Sequence, residues 1–144
     1  MTARRAKILP TRSELRILHA LWDMGQGTVE EVTKHRGFSR PPNYKTTQTL
    51  LRIMEQKGLV RHVTRGRVFS FVPCVTREEV GKGAVRRLLD QTFGGSPAEL
   101  LVNLLESASV DEAELEELES LIRKYRAQTK DLSGRVPRSN PPAS

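Results

Sequence analysis

A group of polar side chains in the middle of the chain has the types and the spacing to hydrogen-bond to nucleic acid. The residues recur at i, i+3, i+4 and i+7, which places them on one face of a helix. They are Lys45, Gln48, Thr49 and Arg52. All can hydrogen-bond and none is negative, which suits contact with base edges and phosphates. A face that meets only solvent more often mixes Glu with Lys, so this face predicts a surface that reads duplex DNA.

The distribution of charge along the 144 residues favours the same function. Between residues 32 and 77 the chain has ten Lys or Arg residues and a single acid, Glu55. Residues 1–75 carry 14 basic and 5 acidic side chains, a net charge of +9, whereas residues 76–128 carry 7 and 11, a net charge of −4. From residue 129 onward the counts are 3 and 1, a net charge of +2. Only the N-terminal part is therefore suited to bind a polyanion.

The helix that carries this polar face also has an apolar side and recognisable ends. Its core-facing residues have the same helical spacing and are Thr47, Leu50, Leu51 and Met54. We expect the helix to run from about Asn43 to Lys57 and to stop at Gly58, a natural left-handed cap. Tyr44 and Thr46 lie in its first turn, close to any bound duplex. Tyr44 can stack on a sugar or phosphate, or it can equally lie at the edge of the core.

After Gly58 the apolar pattern changes from helical to alternating. Residues 59–64 and 67–72 are β-rich runs on either side of Arg65-Gly66, where Gly supplies the positive φ that a tight hairpin needs. Arg65 and Arg67 are then at the hairpin tip, where cations can reach a phosphate or the minor groove. Phe69 falls on an apolar stripe, as does Trp22 earlier in the chain, and both are expected in the core.

Helix starts are marked by Ser/Thr-x-x-Glu pairs, in which hydroxyl and carboxylate satisfy each other's backbone N–H groups. The pairs are Thr11 with Glu14, Thr28 with Glu31, Thr76 with Glu79, Ser96 with Glu99, and Ser109 with Glu112. Two helices, a reading helix and a hairpin make residues 1–75 a winged helix-turn-helix domain, so the predicted fold class is mainly α. Residues 76–127 form a C-terminal helical dimerisation domain, and residues 128–144, rich in Pro, Ser, Gly and Arg, a disordered tail.

The C-terminal helices carry more apolar side chains than short helices can bury alone. The stripes expected to face a second copy of the chain are Leu88, Leu89 and Phe93; Leu100, Leu101, Leu104 and Leu105; and Leu115, Leu118 and Ile122. A homodimer is the favoured interpretation. The alternative is that these helices fold back on their own winged domain.

Several classes of function are excluded by what the sequence lacks. It has no nucleophile and base constellation and no glycine-rich phosphate loop, so no enzyme is expected. His19, His35 and His62 are scattered and Cys74 is alone, so neither metal nor cofactor is expected. No apolar run approaches the roughly 20 residues of a membrane-spanning helix, and the first ten residues do not resemble a signal peptide. A cytoplasmic protein without a membrane partner is predicted.

The order of several short motifs resembles a known family. These motifs are Thr11-Arg-Ser-Glu-Leu, followed by Leu21-Trp22; Tyr44-Lys-Thr-Thr-Gln-Thr-Leu-Leu-Arg52; Lys57-Gly-Leu-Val60; Arg65-Gly-Arg-Val-Phe69; and Phe93-Gly-Gly-Ser-Pro97. Together they resemble the penicillinase and methicillin-resistance repressors of the BlaI/MecI type over residues 8–127. The resemblance implies a homodimeric repressor that binds a palindromic operator through two winged domains.

The same resemblance implies how such a repressor is released. In the family a membrane-bound sensor often triggers proteolysis within the dimerisation helices, and the matching bond here joins Asn103 to Leu104. Well-known members have Phe where this chain has Leu104. The paired Cys motifs of the copper-responsive branch are absent from this sequence. A second hypothesis, from another class, is a winged-helix interaction module whose basic face binds an acidic partner protein.

Overall fold

The computed structural model describes residues 9–35, 37, 40 and 42–135, with only the backbone for residues 131–135. In chain order the elements are α1 Arg12–Met24, β1 Gly27–Thr28, α2 Val29–Thr33, α3 Tyr44–Lys57, β2 Val60–Arg65, β3 Val68–Pro73, α4 Arg77–Thr92, α5 Pro97–Ser107 and α6 Glu112–Arg135. Two compact units divide after Ser96. The predicted fold class, mainly helical with a winged helix-turn-helix, is confirmed.

The first three predicted helix starts are capping boxes with both hydrogen bonds present, at Thr11, Thr28 and Thr76. At the first, the Glu14 amide donates to the Thr11 hydroxyl over 3.2 Å, and the Thr11 amide donates to the Glu14 carboxylate over 2.9 Å. Each box pairs two backbone N–H groups that a helix start leaves without partners.

Glu14 has a second role, since its carboxylate also joins α1 to the far end of α3. The Lys57 ammonium donates to both Glu14 oxygens, each over 2.9 Å. The Glu14 side chain is only 3% exposed, whereas that of Lys57 is 32% exposed. A buried carboxylate is tolerated where its oxygens are paired, so this contact fixes the position of α3 against α1.

The core of the first unit lies between α1, α3 and a small antiparallel sheet. Ile17, Leu18 and Leu21 of α1 pack there with Leu51 and Met54 of α3. The sheet order is β1-β3-β2. Strand β1 was not predicted from the sequence, because two residues are too few to show an alternating pattern. It pairs Gly27 with Phe71 and Thr28 with Ser70, which brings the start of α2 beside the hairpin.

Both hairpin strands begin one residue later than predicted, and β2 does so because the Leu59 amide still bonds to the last turn of α3. Gly58 adopts a left-handed φ of 86° and its amide donates to Glu55. The Leu59 amide donates to the Met54 carbonyl over 2.9 Å. These two bonds form the Schellman motif that closes a helix, and the Leu59 side chain is buried, as that motif favours.

The start of α4 is fastened to α1 through Trp22. The Trp22 indole donates to the Val75 carbonyl over 2.9 Å, and the Arg77 guanidinium lies 5.0 Å from the centre of the indole ring. Val80 packs against the core of the first unit. The compact unit therefore continues past the predicted domain boundary at residue 75, and a functional division at that residue stays a prediction.

The second unit contains α5 and α6. The fifth helix start was predicted at Ser109 and is instead at Asp111, whose side chain accepts from the Glu114 amide over 2.9 Å while its own amide donates to Glu114. An aspartate caps a helix as well as a serine does, so the later box is used. Helix α6 then continues to Arg135, into the stretch expected to lack regular structure. Residues 136–144 of that predicted tail lie outside the described residues.

The ion pair between Glu14 and Lys57 predicts that loss of Lys57 destabilises the fold. Lys57→Met removes the charged partner of a buried carboxylate, and we expect the free energy of unfolding to fall by about 1–3 kcal/mol. Urea unfolding followed by circular dichroism at neutral pH measures this change. Lys45→Met on the same helix is the control, because Lys45 is exposed, and it should change stability by less than about 0.5 kcal/mol. Equal effects of the two substitutions would contradict the assignment.

Candidate nucleic-acid interface

Helix α3 presents its polar face because its opposite side is buried. Thr47, Leu51 and Met54 are fully buried, which fixes the rotation of the helix about its axis. The Thr47 hydroxyl is satisfied by donating to the Asn43 carbonyl over 3.0 Å. Asn43 also caps the helix, as its side chain accepts from the Thr46 amide over 2.8 Å.

The remaining face of α3 is open to solvent. The predicted contact residues on this helix are all exposed: Tyr44, Lys45, Thr46, Gln48, Thr49 and Arg52. Across the part of the chain that the structure describes, neither Lys45 nor Arg52 forms an ion pair. Both cations are therefore available to an anion from outside.

The wing is the hairpin of β2 and β3, and its turn has the geometry that the sequence predicts. Arg65 pairs with Val68 across the strands, and Gly66 between them has a φ of 66°. A side chain at this φ would be strained, so glycine suits the position. The turn leaves Arg65 and Arg67 exposed at the tip of the wing.

A groove separates α3 from the wing and brings part of the predicted site together. Its volume is about 580 Å³. Five predicted contact residues line it: Tyr44, Gln48, Arg52, Arg65 and Arg67. The other three, Lys45, Thr46 and Thr49, are not among the lining residues. The groove thus has cations on both walls, from the helix on one side and the wing on the other.

The prediction that Phe69 lies in the core is wrong. Phe69 is 51% exposed and lines the groove, where its ring stacks on His62 with the ring centres 4.0 Å apart. The apolar stripe extends beyond the buried part of β3, which ends at Ser70 and Phe71. Trp22, in contrast, is partly buried and packs against the core.

Acidic side chains also reach the groove, and each contacts a basic side chain of the protein. Glu55 of α3 lies 2.7 Å from His62 of β2, and Glu31 of α2 lies 2.6 Å from Arg65 at the wing tip. Glu30 lies 2.9 Å from Lys34 on its own helix. Arg65 is therefore already paired in the free protein, whereas Arg67 forms no ion pair with any residue that the structure describes.

Glu31 has two simultaneous contacts. One carboxylate oxygen accepts from the Thr28 amide over 3.0 Å, which closes the capping box of α2, and the other accepts from Arg65. The hydrogen bond from Arg65 is the largest cause that lowers the pKa of Glu31 below its ordinary value, followed by the bond from the Thr28 backbone. The carboxylate is therefore held in its charged form beside the wing.

Sequence reasoning identified Glu31 only as a capping residue. Its contact with the wing depends on β1, because the pairing of Thr28 with Ser70 is what places α2 next to the hairpin. A two-residue strand has no periodic signal of its own. The available clue was that Glu31 is the last acid before a basic stretch that holds only Glu55.

Comparison with known proteins identifies the family. The family model described as Penicillinase repressor matches residues 10–124. The chain belongs to the penicillinase repressor family. Two relatives align with most of the chain. The Penicillinase repressor of Bacillus licheniformis is 24% identical over 119 residues, 83% of this chain and 93% of that protein. The Methicillin resistance regulatory protein MecI of Mammaliicoccus sciuri is 18% identical over 112 residues, 78% of this chain and 91% of that protein.

A solved structure of a family member is also similar. It is the solution structure of monomeric Bacillus licheniformis BlaI in complex with the blaP half-operator, with a TM-score of 0.44 and 26% identity over 51% of this chain and 89% of that chain. The family consists of transcriptional repressors rather than enzymes, in agreement with the expectation from the sequence. No helix in the described part of the chain is both long and apolar enough to cross a bilayer.

The contact between Arg65 and Glu31 predicts a pH-dependent effect of substitution. Arg65→Ala should raise the pKa of Glu31 towards its ordinary value, because the main cause of the lowering is removed. A lowered carboxyl pKa stabilises the fold at neutral pH, and this contribution is lost as the pH falls through the folded-state pKa.

Wild type should therefore be the more stable protein at pH 7, by at most about 1 kcal/mol because the pair is exposed, and the difference should shrink as the pH falls through the folded-state pKa of Glu31. A carboxyl carbon NMR titration of Glu31 and urea unfolding as a function of pH measure the two effects. Arg67→Ala is the control and should leave the Glu31 titration in place. An unchanged Glu31 titration in Arg65→Ala would contradict the assigned cause.

Proposed function

We propose that this chain is a homodimeric transcriptional repressor that binds a palindromic operator through two winged domains. The observation that carries the proposal is the exposed face of α3 with Lys45, Gln48, Thr49 and Arg52, across a groove from the cations of the wing. Membership of the penicillinase repressor family supports the repressor function. The arrangement matches the two-part recognition of winged domains, in which a helix reads bases and the flanking elements hold the backbone.

The contacts on α3 divide by chemistry. Gln48 and Thr49 at the centre of the exposed face are proposed to bond base edges in the major groove, where an amide can pair with adenine and a hydroxyl with any base. Lys45 and Arg52 flank them and are proposed to contact phosphates, with Thr46 at the helix start. Tyr44 is half exposed and lines the groove, so it is proposed to pack on the sugar-phosphate backbone beside the helix.

The wing is proposed to contact the backbone or minor groove through Arg65 and Arg67. Such contacts carry little sequence information, yet they strengthen binding and make it depend on salt. Phe69 is half exposed and lines the same groove, and it is proposed to offer an apolar surface to the deoxyribose of the same strand.

Dimerisation is proposed to cover the apolar faces of the C-terminal helices. No residue of α4 or α5 is buried in the single chain. The proposed interface residues are Leu88, Leu89, Phe93, Leu100, Leu101, Leu104, Leu105, Leu115, Leu118 and Ile122, each partly or largely exposed. An exposed apolar surface of this extent usually marks a protein interface.

Release is proposed to follow loss of this interface, with the bond between Asn103 and Leu104 as the cut point for a sensor-triggered protease. That bond lies inside α5, where the Asn103 amide side chain donates to the Glu99 carbonyl over 2.9 Å and the Ser107 hydroxyl donates to the Asn103 carbonyl over 2.5 Å. A helical peptide bond is protected, so cutting requires α5 to open locally. The rate of release would then depend on how easily this helix unwinds.

Binding to DNA should separate base-reading residues from backbone contacts. The operator is first recovered by selecting duplexes from a random library. Gln48→Ala should then weaken operator binding by about 1–3 kcal/mol with little change on random duplex. Arg67→Ala should weaken both alike and reduce the slope of log affinity against log salt by about 0.9.

Fluorescence anisotropy over a salt series measures both effects. If Gln48→Ala loses the same affinity for operator and for random DNA, Gln48 contacts the DNA backbone rather than a base edge. If the wild type shows no salt-sensitive binding to any duplex, the proposal is wrong, and the basic face would instead be tested against acidic proteins.

Dimerisation is tested by placing a charge on the leucine stripe of α5. Leu104→Glu, at a position 46% exposed in the single chain, should convert the full-length dimer to a monomer because a carboxylate cannot be buried unpaired in an interface. Sedimentation velocity at micromolar concentration measures the change. Glu106→Lys on the opposite side of the same helix is the control and should remain dimeric. A monomeric wild type would refute the homodimer.

A further inference from the structure

Arg65 at the wing tip already has an anionic partner in the free protein. Its guanidinium lies 2.6 Å from a Glu31 oxygen, and both side chains are about half exposed, 49% and 46%. Solvent reaches both groups, so the pair can open without uncovering a buried charge. An exposed pair of this kind contributes little to folding and exchanges readily with other ions.

The carboxylate of Glu31 is held in place, while Arg65 is the last residue of β2, next to the two-residue turn of the wing. Glu31 is anchored through its other oxygen by the capping box with Thr28, whose strand pairs with β3. Carboxylate and phosphate present oxygen acceptors to a guanidinium in similar geometry. Glu31 therefore occupies, with respect to Arg65, the place that a DNA phosphate would take.

The two wing cations differ in this respect. Arg67 lines the same groove but forms no ion pair within the described chain, whereas Arg65 must leave Glu31 before it can bind elsewhere. The wing thus has one cation ready for a phosphate and one whose availability depends on an acid of α2.

We infer that Glu31 is an internal competitor for the DNA backbone: it holds Arg65 in the free protein and yields it to a phosphate when the wing docks. The inference rests on the proposed function and adds to it a residue outside the reading helix and the wing that sets the strength of binding. Exchange of one anion for another lowers the net gain from the wing contact. This loss keeps the affinity for all duplexes below what the basic surface alone would give.

Glu31→Gln tests the inference because it removes the charge and keeps the cap. Glutamine at this position of a capping box can still accept from the Thr28 amide, so the fold is retained. The variant should bind operator and random duplex about two- to fivefold more tightly than wild type, as expected for loss of an exposed ion pair. This gain should disappear when Arg65→Ala is combined with it, since no cation is then left to release.

Glu30→Gln is the matched control. Glu30 is the adjacent residue of α2, lines the same groove and carries the same charge, but its partner is Lys34. Any gain that it produces should persist in the Arg65→Ala background, because it does not act through Arg65. Thermal unfolding of every variant checks that the fold is unchanged.

The possible results are distinguishable. A gain for Glu31→Gln that depends on Arg65 supports the inference. Weaker or unchanged DNA binding by Glu31→Gln would overturn the inference and give the pair a purely structural role in the wing. A gain in affinity that persists when Arg65→Ala is combined with Glu31→Gln would also overturn it, in favour of general charge repulsion between Glu31 and DNA. If wild type itself binds no duplex in a salt-sensitive way, the proposed function fails and the inference fails with it.

Discussion

The arrangement of the first unit depends on the buried carboxylate of Glu14, which accepts hydrogen bonds from two separate parts of the chain. The same carboxylate closes the first turn of α1 and receives Lys57 from the last turn of α3. Because the group is buried, its charge is tolerated only while both partners stay in place. The ion pair therefore sets where α3 ends along α1, and the hairpin begins at Val60, only three residues later. The position of the wing follows from that of the helix.

The parts of this fold that sequence reasoning anticipated are set by neighbouring residues. Asn43 and Gly58 define the ends of α3, and Gly66 defines the turn of the wing, so local chemistry was enough to predict these features. Five of the eight expected contact residues lie on this helix and this wing and line one groove. What it missed depends on distant pairing. Strand β1 exists because β3 lies beside it, and the wing contact of Glu31 follows from that strand. The misplacement of Phe69 has a similar origin, since a pattern of apolar residues does not show how far the core extends.

Contacts of acidic side chains with His62 and Arg65, rather than apolar packing, connect the outer part of the wing to the helices. The Glu55 carboxylate of α3 contacts His62, and the Glu31 carboxylate of α2 contacts Arg65, so two of the three basic residues on β2 contact acids elsewhere in the unit. The exposed faces of β2 and β3 near the tip contribute little to the core. Salt should then act on this protein at two levels, because it screens both attraction to a polyanion and the pairs that give the groove its shape.

The attachment of α4 to α1 has a consequence for entropy. Val75 and Arg77 would otherwise be a free connection between the winged domain and the helix that follows, but the Trp22 indole holds both, one through a carbonyl and one through its ring face. The conformational freedom of this connection is thus lost when the chain folds. This conformational entropy is therefore not lost a second time when a partner binds to the winged domain or to the C-terminal helices. The start of α4 is thus held in a fixed orientation on the winged domain and is not joined to it by a flexible linker.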